Sequence, residues 1–321
     1  MIKTSDISNA YQNIKNDIDK TPLLFSPALS KLSGAKVYLK MEHLQRTGSF
    51  KIRGVLNKII SLQTRDFEKL FVAASTGNHA AAFGYAAEKF KFKGTLFLPE
   101  KTNETKVKAI AHYDLEKVFF GDNSRETEAK ATAHAREVGG VLIHPYNDRQ
   151  IIIGQGTLGL EIKQQLPQLD VVLAPVGGGG LASGLSTFFA EDDTVSVVGC
   201  QPKNASEMYD SIENGHIVPS STKETIADAS AGGVEENALT FEICKKHLSG
   251  FELLDEEDIK KAVAFVLKYH QSVIEPAAAL PVAALLRGKK YRGKHVVLVL
   301  TGKKISMPLL TTIVNTYGDY Y

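Results

Sequence analysis

Four turns place small or hydroxyl-bearing residues where a strand or loop passes into a helix: Thr47-Gly48-Ser49-Phe50-Lys51, Ser75-Thr76-Gly77-Asn78-His79, Gly177-Gly178-Gly179-Gly180-Leu181 and Thr301-Gly302-Lys303-Lys304. A helix start offers unpaired N–H groups and a favourable dipole, so each turn suits an anion or a polar ring atom. Four consecutive glycines cost conformational entropy, and one would serve a tight turn. The run makes sense where backbone must approach a ligand with no side chain between, and phosphate is the natural occupant. Lys51 opens a helix, where the positive end of the dipole favours a neutral, nucleophilic amine. Position alone leaves a solvated surface lysine as the alternative.

The glycine run also fits a dinucleotide turn, with Gly177, Gly179 and Ala182 in a G-x-G-x-x-A pattern. That use calls for an acid about 20 residues on, at the end of the next strand, and Cys200-Gln201 stands there instead. No G-x-x-x-x-G-K-[ST] segment supports a nucleoside triphosphate site. The histidines are scattered, without H-E-x-x-H or paired spacing, and all but His79 read as surface or core residues. Cys200 and Cys244 are too few for a disulfide framework or a CxxC metal site and suit a reducing, cytoplasmic compartment. Lys plus Arg total 38 against 36 for Asp plus Glu, with no basic stripe, so nucleic acid is not an expected partner. The longest apolar runs are far too short to span a bilayer and the N-terminus has no apolar signal core, so a soluble protein with no membrane partner is expected.

These turns need a frame. Short apolar runs rich in Val, Leu and Phe recur at 70–75, 94–99, 115–120, 141–144, 171–176, 195–200 and 295–300, each followed by a helix-like stretch. Residues 78–90, 103–112 and 124–137 read as helices. So does 258–270, whose Ile259, Val263, Val266 and Leu267 share one face and read as core. Such a β/α alternation packs as parallel strands with crossover helices on both faces and places ligands at the carboxyl ends of strands. A chain of 321 residues, 43% hydrophobic, can bury one large core or two moderate ones. Two lobes are expected, a small one from residues 51–146 and a larger one from 1–50 and 147–321, with the site in the cleft between them. The polar stretch 203–250 is expected to supply long loops beside that cleft.

Taken together, Met41-Glu42-His43-Leu44-Gln45-Arg46-Thr47-Gly48-Ser49-Phe50-Lys51-Ile52-Arg53-Gly54, the 75–79 turn, Gly156-Thr157 within Gly-Gln-Gly-Thr, and the four-glycine turn resemble the fold type II pyridoxal-phosphate enzymes, in the branch of the threonine dehydratases and serine racemases. Order and spacing agree from about residue 20 to residue 301. The resemblance implies an α/β fold of two open twisted sheets with flanking helices, tryptophan synthase β-like, with the active site in the interdomain cleft. It implies pyridoxal 5′-phosphate held as an imine on Lys51, with Phe50 against the pyridine ring and Asn78 on the ring 3′-oxygen. The N–H groups of Gly177, Gly178, Gly179, Gly180 and Leu181 would take the phosphate. Ser75, Thr76, Gly77, Asn78 and His79 would grip the carboxylate of a small amino-acid substrate, and Thr301 would face the pyridine nitrogen. A hydroxyl there leaves that nitrogen largely unprotonated, which favours elimination over transamination. A homodimer is implied as well.

The implied activity is elimination of water from L-threonine or L-serine to give a 2-oxo acid and ammonia, with the Lys51 amine removing the α-proton. His144-Pro145-Tyr146-Asn147-Asp148 resembles the His-Pro-aromatic pattern of the dehydratases more than the His-Pro-Asn of the racemase. Thr76, a hydroxyl where many dehydratases carry alanine, keeps a serine racemase open, and a threo-3-hydroxyaspartate dehydratase is a further alternative. Several positions depart from the family pattern. Lys303 and Lys304 interrupt its Ser-Gly-Gly-Asn segment and read as solvated surface lysines. Ala229 stands where Ala-Asp-Gly is usual and would narrow the pocket, and Ala278 replaces a glycine after Glu275-Pro276-Ala277. These departures leave open a cofactor-binding or regulatory protein that no longer catalyses. Members with a divalent cation use a Glu, a backbone carbonyl and an Asp at positions matching Gln201, Ala205 and Glu207. One carboxylate in place of two weakens the hold on a hard dication such as Mg²⁺, so a vacant site or a monovalent ion beside Glu207 is expected.

Overall fold

The computed structural model describes residues 2–102, 104–219 and 223–321. Its strands are β1 (Leu23–Phe25), β2 (Lys36–Lys40), β3 (Phe71–Ala74), β4 (Gly94–Leu98), β5 (Glu116–Phe119), β6 (Val141–Leu142), β7 (Val171–Pro175), β8 (Ser196–Pro202), β9 (Gly250–Leu254) and β10 (His295–Val299). Its α-helices are α1 (Thr4–Ile14), α2 (Pro27–Ser33), α3 (Lys51–Ile60), α4 (Asn78–Phe90), α5 (Glu104–Ala109), α6 (Ser124–Glu137), α7 (Arg149–Gln165), α8 (Gly180–Phe189), α9 (Glu207–Asn214), α10 (Leu239–His247), α11 (Glu256–His270), α12 (Pro276–Leu286) and α13 (Met307–Tyr317).

The chain lays β1 and β2 into one sheet, builds a second from β3 to β6, and returns to the first with β7 to β10. Strand order is β1-β2-β10-β7-β8-β9 in the larger sheet and β5-β4-β3-β6 in the smaller. Neighbouring strands are parallel except β1, which runs antiparallel to β2 at an edge. Successive side chains in a strand face opposite ways, and helices cover both faces. Val37, Leu39, Leu173, Val296 and Leu298 join α11 and α12 in one core. Tyr38, Val172, Ala174, Val297 and Val299 join α7 and α8 in another. In the smaller sheet Phe71, Ala73, Leu96 and Leu98 pack on α3 and α4, and Val72, Ala74 and Phe97 on Ala131 and Ala135 of α6.

Every expected apolar run contains a strand, and the helices over 78–90 and 124–137 have the expected bounds. The 103–112 stretch is helical only over Glu104–Ala109, and Asn103 lies outside the described residues. Three strands carry little apolar signal. β1 has three residues, β9 is an edge strand with Leu254 its one buried residue, and β2 is bracketed by lysines, of which Lys40 is fully buried with its ammonium 2.8 Å from Glu161. The 203–250 stretch is not loop throughout. It holds α9 and α10, whose Met208, Phe241 and Cys244 pack on Val176 and Ala182, while residues 220–222 lie outside the described residues. No helix among the described residues is long and apolar enough to cross a membrane.

Candidate active site

The carboxyl ends of β3, β7 and β10 open on a cavity of about 620 Å³ that residues from all four turns line. That volume suits a small-molecule ligand. Lys51 is the first residue of α3, and the loop before it is tied to the loop after β10. Phe50 N–H donates to the Thr301 carbonyl at 3.1 Å and Lys303 N–H to the Gly48 carbonyl at 3.2 Å. Two residues on, the wholly buried Arg53 donates to Glu42 and Glu161 over 2.8 to 2.9 Å, which anchors α3 on α7 and on the turn after β2. Lys51 Nζ donates to the Pro145 carbonyl at 2.7 Å. Burial pulls this amine down to about 8, against the pull of the Glu128 and Glu275 carboxylates. Desolvation therefore does what the sequence assigned to the helix dipole.

In the 75–79 turn, Ser75 Oγ accepts from Gly77 N–H at 3.2 Å. Asn78 Nδ2 donates to both oxygens of Glu275, at 2.7 and 2.9 Å, while its Oδ1 is buried with no hydrogen-bond partner. Glu275 stands just before α12 without a side-chain bond to its first amides, and burial pushes it up to about 7 against the Asn78 hydrogen bonds. His79 lines the cavity, but its Nε2 is spent on the Ile143 carbonyl at 2.7 Å. Burial, then the nearby Lys51 charge, hold the ring down to about 3, so it is neutral and Nε2–H is the donor. Thr76 and the buried Thr301 line the same space.

The glycine turn is built more tightly than a ligand alone would require. A Cβ on Gly178 would fall 2.5 Å from the Tyr146 ring, on Gly179 2.7 Å from Met208 Cε, and on Gly177 3.1 Å from Ser230 Cα. Gly179, at φ +87, begins α8. The first amides of a helix have no acceptor within it, and Gly180 and Leu181, which supply them here, line the cavity.

Residues 14–302 match the sequence family described as Pyridoxal-phosphate dependent enzyme. This chain belongs to that family. It is 38% identical over 316 residues to the L-threonine ammonia-lyase of Thermotoga maritima, covering 98% of this chain and 79% of that protein. It is 34% identical over 329 residues to the serine racemase of Dictyostelium discoideum, covering 98% of each. Among solved structures, the T.th. threonine deaminase matches with a TM-score of 0.88 at 35% identity, over 95% of this chain and 99% of that one.

Pyridoxal phosphate, the cofactor of the family, fits what the cavity offers. The Lys51 amine can bond to an aldehyde carbon, the orphaned Asn78 Oδ1 awaits a polar ring substituent, and the first turn of α8 suits a phosphate. Other members of this pyridoxal-phosphate enzyme's cavity escaped the sequence reading. Glu128 lines it from α6, pushed up to about 7 by burial against the opposing charges of His144 and Lys51. On a polar helix nothing singles this acid out. Asp228 lines it too, as does Tyr146, the aromatic of the His-Pro-aromatic pattern, and an acid set before the apolar Pro-Ala-Ala-Ala-Leu run is the one hint of Glu275. Lys303 is exposed as expected, but Lys304 is not a surface lysine. It lines the cavity, donates to the Gly77 carbonyl at 3.1 Å, and burial pulls it down to about 8. Ala229 lines the cavity, whereas Ala278 is buried in the core.

The residues matching a cation site do not fit one. Gln201 Oε1 accepts from Tyr209 N–H at 2.9 Å, and its Nε2 donates to the Ala205 carbonyl at 3.4 Å. Glu207, the one carboxylate, gives Oε1 to Arg125 at 2.7 Å, while its Oε2 is buried with no hydrogen-bond partner. Among the described residues no group of three or more His, Cys, Asp and Glu side chains could hold a metal.

Proposed function

We propose that this enzyme eliminates water from L-threonine or L-serine and releases a 2-oxo acid and ammonia. The carrying observation is the part-buried Lys51 amine, which donates to the Pro145 carbonyl at 2.7 Å in the cavity between the glycine turn and the 75–79 turn and which desolvation pulls down to about 8. Relatives named as threonine ammonia-lyases and dehydratases support the substrate class. Pyridoxal phosphate, when bound, supplies an electron sink for charge developing at the substrate α-carbon. Gly177, Gly178, Gly179, Gly180 and Leu181 would hold its phosphate, Phe50 would lie against its ring, and Asn78 and Thr301 would meet the ring 3′-oxygen and the ring nitrogen. Residues 75–79 hold the substrate carboxylate. Lys51 Nζ would take the α-proton and return it to the β-hydroxyl as the C–O bond breaks, so that water leaves; the released enamine tautomerises to the imine, whose hydrolysis consumes one water and gives the 2-oxo acid and ammonia.

A second reading rests on Thr76. This residue lines the cavity, and its hydroxyl would return a proton on the face opposite Lys51 and so racemise serine, as in the named activity of the Dictyostelium relative. We further assign the chain to a cytoplasmic homodimer whose cofactor-binding domain is residues 1–50 with 147–321 and whose small domain is 51–146. The division of strands between two sheets supports the domains. Edge strand β1, which leaves Leu24 and Phe25 about half exposed, supports a partner copy, which light scattering would count.

The test is 2-oxo acid release from L-threonine, L-serine and L-threo-3-hydroxyaspartate by the cofactor-saturated protein, beside Lys51→Ala. Release from threonine or serine that vanishes in the variant is expected. Release from none of the three, with cofactor absorbance intact, sinks the ammonia-lyase. Inversion of serine that Thr76→Ala abolishes would then establish the racemase.

A further inference from the structure

Arg125 stands on α6, which covers the smaller sheet, and Glu207 opens α9, which follows β8 of the larger one. Arg125 Nη2 donates to Glu207 Oε1 at 2.7 Å, with the glutamate side chain only 3% exposed and the arginine side chain 55% exposed. A buried carboxylate needs a partner of opposite charge. The two other positions that the resemblance would give to a cation are neutral and already bonded within the protein, Gln201 to Tyr209 and to the Ala205 carbonyl. Gly233 completes the arrangement. At φ +77 it lies where a Cβ would fall 2.5 Å from Glu207 Oε2 and 3.3 Å from Arg125 Nη2, so backbone closes over the pair only because no side chain intervenes.

We propose that the Arg125 guanidinium is this chain's built-in substitute for a divalent cation, and that it latches the small lobe to the large one across the mouth of the cleft. A metal bound by Gln201, Ala205 and Glu207 would join residues of the larger lobe to one another. An arginine from α6 joins the two lobes. Ser124, Thr127 and Glu128, on the same helix within one turn of Arg125, line the cavity, so the latch sets which face of α6 the substrate meets. Arg125 is thus a positioning residue. It acts on substrate affinity through α6 and leaves the proton chemistry of Lys51 alone. The effect on KM rests on the ammonia-lyase reading, but the cation-independence does not.

The experiment uses the cofactor-loaded full chain and reads the thermal midpoint against Mg²⁺, Ca²⁺ and EDTA, which needs no substrate. No shift with any of the three is expected. A saturable rise with Mg²⁺ or Ca²⁺, or a fall with EDTA, overturns the proposal even if the chain proves to have another activity. Replacing Gln201 by Glu in an Arg125→Met background supplies two carboxylates beside the Ala205 carbonyl and should create a saturable Ca²⁺-dependent rise that the wild type lacks. Arg125→Met alone should raise KM by about tenfold with kcat nearly kept, and Arg125→Lys should recover part of the loss. Unchanged KM and midpoint in Arg125→Met overturn the latch. If that variant does not fold, the response of the wild type to cations still decides the substitution.

Discussion

Four ionisable groups in one cavity sit within reach of neutral pH: burial pushes Glu275 and Glu128 up to about 7 and pulls Lys51 and Lys304 down to about 8. The sign for Glu275 follows from proton counting. A carboxyl raised in the folded state binds more protons there than in the unfolded chain. Its stabilising contribution is full below about 4.5 and is lost as pH rises through about 7. The loss is on the order of 3 kcal/mol, at about 1.4 kcal/mol per unit. The two lysines act only above about 8 and in the opposite direction, and Glu128 is common to both proteins compared. Urea melts of cofactor-free wild type and Glu275→Gln between about pH 5 and pH 8 should therefore show wild-type stability falling relative to the variant. Parallel curves would mean that Glu275 is not held protonated. Lys51 and the glycine turn were legible because their residue types are costly or rare at a helix start. Glu275, Glu128 and Lys304 were not, because what makes a charged residue functional is what covers it. Lys304 in a Lys-Lys pair is indistinguishable from a solvated lysine until the 75–79 turn is laid over it.

Elements position these residues through contacts between distant segments, which the sequence reports unevenly. The apolar runs of β3, β4, β7 and β10 report strands because both faces of a parallel sheet are buried. β2 was missed for the converse reason: Lys40 is buried by pairing with Glu161, so a core position carries a charge. The same network takes in Arg53 and Glu42 and holds the start of α3. Four glycines were read as room for a ligand, and the structure adds a second cause. Tyr146, whose hydroxyl accepts from Glu235 N–H at 3.0 Å, lies against Gly178. Gly178→Ala must therefore displace an aromatic ring fixed at its far end. Overpacking of this kind costs about 1–3 kcal/mol. The variant should melt earlier and bind pyridoxal phosphate more weakly, as read by absorbance titration. A variant that melts as wild type and loses only cofactor affinity would show that the turn's glycines answer to the ligand alone.

At the scale of the whole molecule, the cavity is walled by two cores that the chain builds separately, one on the smaller sheet and one on the larger. Lys51 and the 75–79 turn lie on α3, α4 and the end of β3, while the glycine turn and Thr301 follow β7 and β10. A cofactor held by all of them binds both walls at once and binds the unfolded chain at neither. Its contribution grows as the logarithm of free cofactor over its dissociation constant, about 4 kcal/mol at a thousandfold excess. Stripping pyridoxal phosphate should lower the thermal midpoint by several degrees, and adding it back should restore the midpoint in a concentration-dependent way. Lys51→Ala keeps the glycine turn and Asn78, so it should recover part of that rise. Hydrogen exchange locates the effect: amides of residues 75–79 and 177–181, on opposite walls, should gain protection together. Protection gained on the glycine turn alone would mean that the cofactor rests on the wall built by the larger sheet and that the two walls are held together by the protein's own contacts.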